Sequence, residues 1–281
     1  SSFINRPKVK NGKKENIAPY NAIGDYLYGS LYYPTNEAGA KELAANGKMP
    51  VVIFLHKFSN TGYDAQLNGL FDSILSKGIA VLAMDLIGYG ARIEEGTYFY
   101  DRYPHWSKMG KMVTDTRAAV DALESLEFID ADKIYLAGYS LGGTVSVFTA
   151  ALEPRIAGTA VSSAFTPLRT ASHHVEGIKA YSHLYGLIPR LGYFLGNENR
   201  IPVDFKEILG IISPRPLLII SPELDRHADH DQVLESMKEV QEIYGVKASD
   251  NLQFKTPHEF NHFTQEQQKT MVEWLENQIR P

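Results

Sequence analysis

The chain has 281 residues, enough for one large domain or two small ones, and its 44% hydrophobic and 22% charged residues allow a sizeable core. A formal charge of −5 argues against nucleic acid or an anionic membrane surface as the main partner, and no stretch approaches the roughly 18 apolar residues that span a bilayer. The absence of cysteine excludes disulfides, thiolate chemistry and Cys-ligated zinc, but leaves the compartment open.

Residues 1–24 are polar and carry Lys8, Lys10, Lys13 and Lys14, so they read as an arm over the surface. Alternating aromatic and small residues over 26–33 predict a first strand, and 34–48 are loop-like with a short Ala-rich stretch. From there the pattern is regular. Short apolar runs at 51–55, 79–84, 134–137, 156–161, 216–220 and 252–254 have the length of strands. Helical periodicity appears near 64–76, 111–127, 141–151, 232–243 and 265–279; in the second of these Val113, Ala119, Val120 and Leu123 share one stripe. Strands alternating with helices predict βαβ units, a mostly parallel central sheet and, through right-handed crossovers, helices on both faces. Residues 165–206 interrupt the rhythm with Tyr181, His183, Tyr185, Tyr193 and Phe194. Some forty residues are too many for an ordinary connection, so the segment reads as a cap over the site or as an extra packed subdomain.

Gly138-Tyr139-Ser140-Leu141-Gly142 follows one apolar run and opens a helix, the setting that a G-x-S-x-G nucleophile elbow requires. The middle residue of such a turn is strained, so its neighbours must be nearly free of side chain. The hydroxyl then projects above the sheet, and the helix N-terminus offers N–H groups to an oxyanion. The bland alternative is a glycine-rich turn that binds phosphate or has no chemistry. A serine needs a base, and the base needs an orienting carboxylate. With the order Ser, acid, His, the acid is Asp225, in the turn after 216–221; Asp229, Asp231 and Glu223 are less well placed. Two histidines stand between the last strand and the last helix. His262, directly before the helix, is the preferred base and His258 the alternative, while His227 and His230 read as surface residues. The oxyanion donors are the N–H of Leu141, after the nucleophile, and by position the N–H of Phe58. The aromatic run from Tyr98 to Trp106 leaves the edge of the sheet where ligands bind. Tyr100 and Trp106 are its candidate substrate contacts, with loop packing the equally open alternative.

These residues resemble the α/β-hydrolase superfamily from about Tyr26 to Ile279. His56-Lys57-Phe58 stands for its usual His-Gly-x after the third strand, and Asp85-Leu86-Ile87-Gly88-Tyr89-Gly90 for Asp-x-x-Gly-x-Gly. The stretch from Asp115 to Gly143 and Ser213-Pro214-Arg215-Pro216-Leu217-Leu218-Ile219-Ile220 are similar to the dienelactone-hydrolase and acetyl-xylan-esterase branch. Lys57 departs from the pattern in place of glycine, and no glycine precedes His262. The resemblance implies one α/β-hydrolase domain, a serine carboxylester hydrolase working through an acyl-enzyme without metal or organic cofactor, and a small-molecule or polysaccharide ester as substrate; it favours a secreted or periplasmic location without fixing the compartment. A peptidase or thioesterase with the same triad, or a non-catalytic glycan-binding module, are the competing readings.

Overall fold

The computed structural model describes residues 9–10, 12–17, 27–34, 47–62, 67–170 and 177–279. Their strands form an eight-stranded sheet in the order β1-β2-β4-β3-β5-β6-β7-β8. The strands are β1 (Gly12–Ile17), β2 (Gly29–Pro34), β3 (Met49–Leu55), β4 (Ala80–Met84), β5 (Ile129–Tyr139), β6 (Gly158–Ser162), β7 (Leu217–Ile220) and β8 (Leu252–Lys255). β1 and β2 are antiparallel to each other, β2 is antiparallel to β4, and every other pairing is parallel. From β3 the chain steps outward to β4, then returns to the other side of β3 to build β5 through β8. That reversal leaves a crevice beyond the C-terminal ends of β3 and β5, where open α/β sheets take ligands.

The helices are α1 (Asn68–Ser76), α2 (Ile93–Thr97), α3 (Phe99–Arg102), α4 (Lys108–Glu124), α5 (Leu141–Leu152), α6 (Phe205–Ile212), α7 (His230–Ala248) and α8 (Gln265–Ile279). The period of two along each strand divides the core between them. Val51, Ile53, Leu55, Leu136 and Ile219 pack beneath α4, α5, α6 and α7, whereas Val52, Phe54, Ala137 and Leu218 pack beneath α1 and α8. Both faces of the parallel strands are therefore apolar, which is why they read as continuous runs. Ser107 caps α4 by accepting the Gly110 N–H, and Asp204 and Glu207 form a reciprocal capping box at the start of α6.

Two elements differ from the sequence expectation. Residues 12–17, read as part of a surface arm, form the edge strand β1 against β2. An edge strand with a solvated face needs no apolar alternation, so Lys13, Lys14 and Glu15 concealed it. Most of the rest of 1–24, much of the loop over 34–48, and residues 171–176 lie outside the described residues. Within the long interruption, Ala180–Leu184 make a turn of π-helix, and Pro189–Phe194 and Glu198–Arg200 make 3-10 turns, before α6. α6 was not anticipated, although Phe205, Ile208, Leu209 and Ile212 recur at helical spacing and are buried.

Candidate active site

Ser140 stands between β5 and α5 with φ 54° and ψ −120°, in a region that non-glycine residues rarely occupy. The surroundings enforce this conformation. The Ser140 N–H donates to the Ser162 carbonyl at 2.9 Å, and its carbonyl accepts the Thr144 N–H at 2.9 Å. A Cβ on Gly142 would overlap the Leu55 carbonyl oxygen, and one on Gly138 would overlap the Gly142 backbone. The two glycines thus let α5 start directly against the end of β3. Ser140 opens onto a cleft of about 710 Å³ whose walls include Phe58, Leu141, Asp225 and His262. Ser163, at the end of β6, is also held at positive φ (49°) and lines the cleft.

The acid and the histidines come from the loops after β7 and β8. These loops continue the parallel ladder beyond the strands: Ser221 N–H to Lys255 O at 2.9 Å, Glu223 N–H to Pro257 O at 3.0 Å, and Leu224 N–H to Glu259 O at 3.0 Å. Residues 258–262 are thereby drawn alongside Asp225. Asp225 is buried, and its Oδ1 accepts the His227 N–H and the Asn261 side-chain amide, each at 2.9 Å. Asn261 Oδ1 accepts in turn from the Tyr139 hydroxyl, one residue before Ser140. A polar chain therefore ties the acid loop to the elbow. Asn261 is the residue that sequence reasoning missed, because only the register between the two loops brings its amide to Asp225.

His262 is exposed on the cleft wall with Ser140 and Asp225, and among the described residues its ring is hydrogen-bonded to neither. His258 lies elsewhere: its Nδ1 meets Glu223 Oε2 at 2.7 Å, its side chain is 77% exposed, and it is not part of the cleft. His227 also reaches the cleft, where the sequence suggested only surface.

After β3, His56 is buried between two backbone groups. Its Nε2 accepts the Leu86 N–H at 3.0 Å, which leaves the proton on Nδ1 to donate to the Lys57 carbonyl at 2.8 Å. Burial pushes its pKa down, against the smaller opposing effects of that carbonyl and of Asp85, so the ring is neutral. The Lys57–Phe58 peptide is planar, so holding the carbonyl toward His56 directs the Phe58 N–H the other way. Phe58 and Leu141 both border the cleft. Asp85 supports the arrangement by accepting from Gly62 N–H and Ala91 N–H, each at 2.9 Å. Behind it the fully buried Arg92 meets Asp115 at 2.8 Å and Glu95 at 2.7 Å. Burial opposes the Arg92 charge, but Glu95 and Asp115 more than offset it and raise its pKa.

Tyr100 and Trp106 are not among the described residues that line the cleft. The run forms α3 and buries Phe99, on which Tyr100 and Tyr103 pack with centroids at 5.0 and 5.3 Å; Trp106 lies on Tyr103 at 5.8 Å. The Tyr100 hydroxyl donates to the Gly186 carbonyl and so clasps the segment around 177–187. That segment supplies aromatic wall instead, through Tyr181 and Tyr185, with the Tyr185 ring 4.2 Å from that of Phe58.

The family described as "Glucuronyl esterase, fungi" has a sequence model that matches residues 39–247, well over half of the chain. The chain belongs to this family. It is a carboxylic ester hydrolase of the α/β-hydrolase fold. The matched residues include Ser140 and Asp225 and end before His262. Over 230 residues the esterase is 26% identical to YtaP of Bacillus subtilis (strain 168), a protein that bears the name of a hydrolase, with 75% of this chain and 72% of that one covered. Its fold is similar to that of a glucuronoyl esterase from Solibacter usitatus (TM-score 0.68, 14% identity, 96% and 87% of the two chains). It is likewise similar to the Pyrococcus furiosus esterase Pf2001 (TM-score 0.66, 16% identity, 99% of both chains).

Proposed function

We propose that the protein hydrolyses carbohydrate esters, foremost esters of a uronic acid, through an acyl-enzyme on Ser140. The observation that carries this reading is the strained Ser140 turn opening onto a cleft shared with Asp225 and His262. His262 takes the Ser140 proton as the hydroxyl oxygen attacks the ester carbonyl, then delivers it to the departing alkoxide. Water enters and the same steps in reverse free the acid. Asp225 orients the imidazole and stabilises its charge; Oδ2 serves this purpose, since Oδ1 is occupied by Asn261 and His227. A rotation of the exposed His262 side chain completes the triad, as catalytic hydrogen bonds are often loose before substrate binds. The Phe58 and Leu141 amides receive the oxyanion, at about 3–4 kcal/mol of transition-state stabilisation per donor. The segment 177–187 acts as the cap against which the sugar packs.

The family supports the uronic acid ester as the substrate. Ser140→Ala should abolish hydrolysis of methyl glucuronate while leaving thermal unfolding unchanged. Retention of most of the activity in a folded variant would remove Ser140 from the mechanism, and a parent enzyme that cleaves sugar acetates but no uronate ester would refute the acyl assignment.

A further inference from the structure

The cleft around Ser140 is charged in the opposite sense to the chain as a whole. The chain carries 33 acidic and 28 basic residues, yet among the described residues the cleft walls hold one carboxylate, Asp225, and two cations, Lys57 and Arg226. Asp225 is already engaged by Asn261 and His227. Among the described residues neither cation has a carboxylate partner. Arg226 directs its Nε–H to His227 Nε2 at 3.2 Å and leaves both terminal nitrogens without a protein acceptor. Several basic side chains elsewhere do meet a carboxylate within 3.3 Å, among them Lys77, Arg92, Arg117, Arg155, Arg169 and Lys206. Two cations without a carboxylate partner among the described residues, facing one concave site, point to a ligand that supplies negative charge.

Their placement constrains that ligand. Lys57 follows β3, Ser140 follows β5 and Arg226 lies beyond β7, so the sheet order sets the two cations on opposite sides of the nucleophile. Three strand intervals of about 4.8 Å separate β3 from β7, so the two loops stand about 14 Å apart. An extended chain crossing the cleft can present a separate carboxylate to each.

We infer that the substrate is an ester set within an acidic carbohydrate chain, with free carboxylates on sugars to either side of the esterified unit, one facing Lys57 and the other Arg226. This rests on the proposed role of Ser140 for where the reacting ester lies, but the charge complementarity stands apart from the chemistry. Half-exposed and exposed cations of this kind contribute modestly, about two- to fivefold in affinity each, and salt screens them over a Debye length of about 8–10 Å.

The test is calorimetric titration of trigalacturonate, and of neutral xylotriose, into the parent enzyme and a Lys57→Gln/Arg226→Gln double variant, at about 20 mM and about 300 mM salt. The parent should bind trigalacturonate about tenfold more tightly than xylotriose at low salt, and high salt or the double substitution should each remove that preference. Equal affinity for the two sugars in the parent, no binding of the acidic one, or a preference that survives in the double variant would overturn the inference. Because titration requires no turnover, a failure of the serine mechanism would appear separately, as absent hydrolysis of any ester.

Discussion

The elbow after β5 and the paired loops after β7 and β8 supply the two halves of the proposed triad, and they are built differently. Around Ser140 the backbone is held from several sides: the Ser162 carbonyl takes its N–H, Thr144 takes its carbonyl, and Gly142 lies against Leu55 with no room for a side chain. Around His262 the constraint is indirect. The backbone is positioned by the extended ladder and by Asn261 on Asp225, while the ring itself is exposed and hydrogen-bonded to neither Ser140 nor Asp225. The proposed nucleophile is held by steric and hydrogen-bond geometry, and the proposed base stands on a loop that borders the same cleft. A preorganised nucleophile minimises reorganisation in the attack step, and a mobile imidazole can take the serine proton and pass it to the leaving group from the same nitrogen.

The largest expected effect tests the looser half. His262→Ala should lower kcat by about six orders of magnitude, the scale on which a triad loses function when its histidine is removed. His258→Ala should cost less than about twofold, since that ring pairs with Glu223 at 77% exposure outside the cleft. Exchange of the two outcomes would place the base at His258 and require the loop to rearrange on binding.

The same contrast decides what could be read in advance. The elbow was legible because its sterics demand glycine at fixed positions, and the parallel strands were legible because both their faces are buried. Asp225 and His262 could be ranked by chain order alone. Asn261 could not be found, since the register of the two loops brings it to Asp225 and no residue-type rule predicts that register. For Tyr100 and Trp106 two readings stayed open: an aromatic run has the same composition whether it packs under a loop or faces a ligand, and here Phe99 takes its ring into the core. β1 is a polar edge strand and carries no apolar period.

An intermediate effect tests how the rigid half extends to the oxyanion donors. His56→Leu removes the clamp on the Lys57 carbonyl and leaves that carbonyl and the Leu86 N–H without their partner. Loss of aim at one donor should lower kcat by about ten- to a hundredfold with KM little changed, a division that general loosening of the cleft would not produce. Stability should also fall, by about 1–3 kcal/mol for each unsatisfied buried group. The pH dependence has a definite sign. The folded pKa of His56 lies below the ordinary histidine value, so its contribution to stability is fully present above that value and is lost as pH falls through it. Denaturant titrations from neutral to mildly acidic pH should show a smaller loss for His56→Leu than for the parent; identical slopes would mean that the ring is not held neutral.

The most direct measurement of the central claim is covalent labelling by a fluorophosphonate followed by peptide mapping. A serine activated by a neighbouring base and facing an oxyanion hole should be phosphonylated stoichiometrically at Ser140 in the parent enzyme, and at a rate lowered by orders of magnitude in His262→Ala. A parent enzyme that remains unlabelled, or is labelled at another serine, would contradict a Ser140 acyl-enzyme.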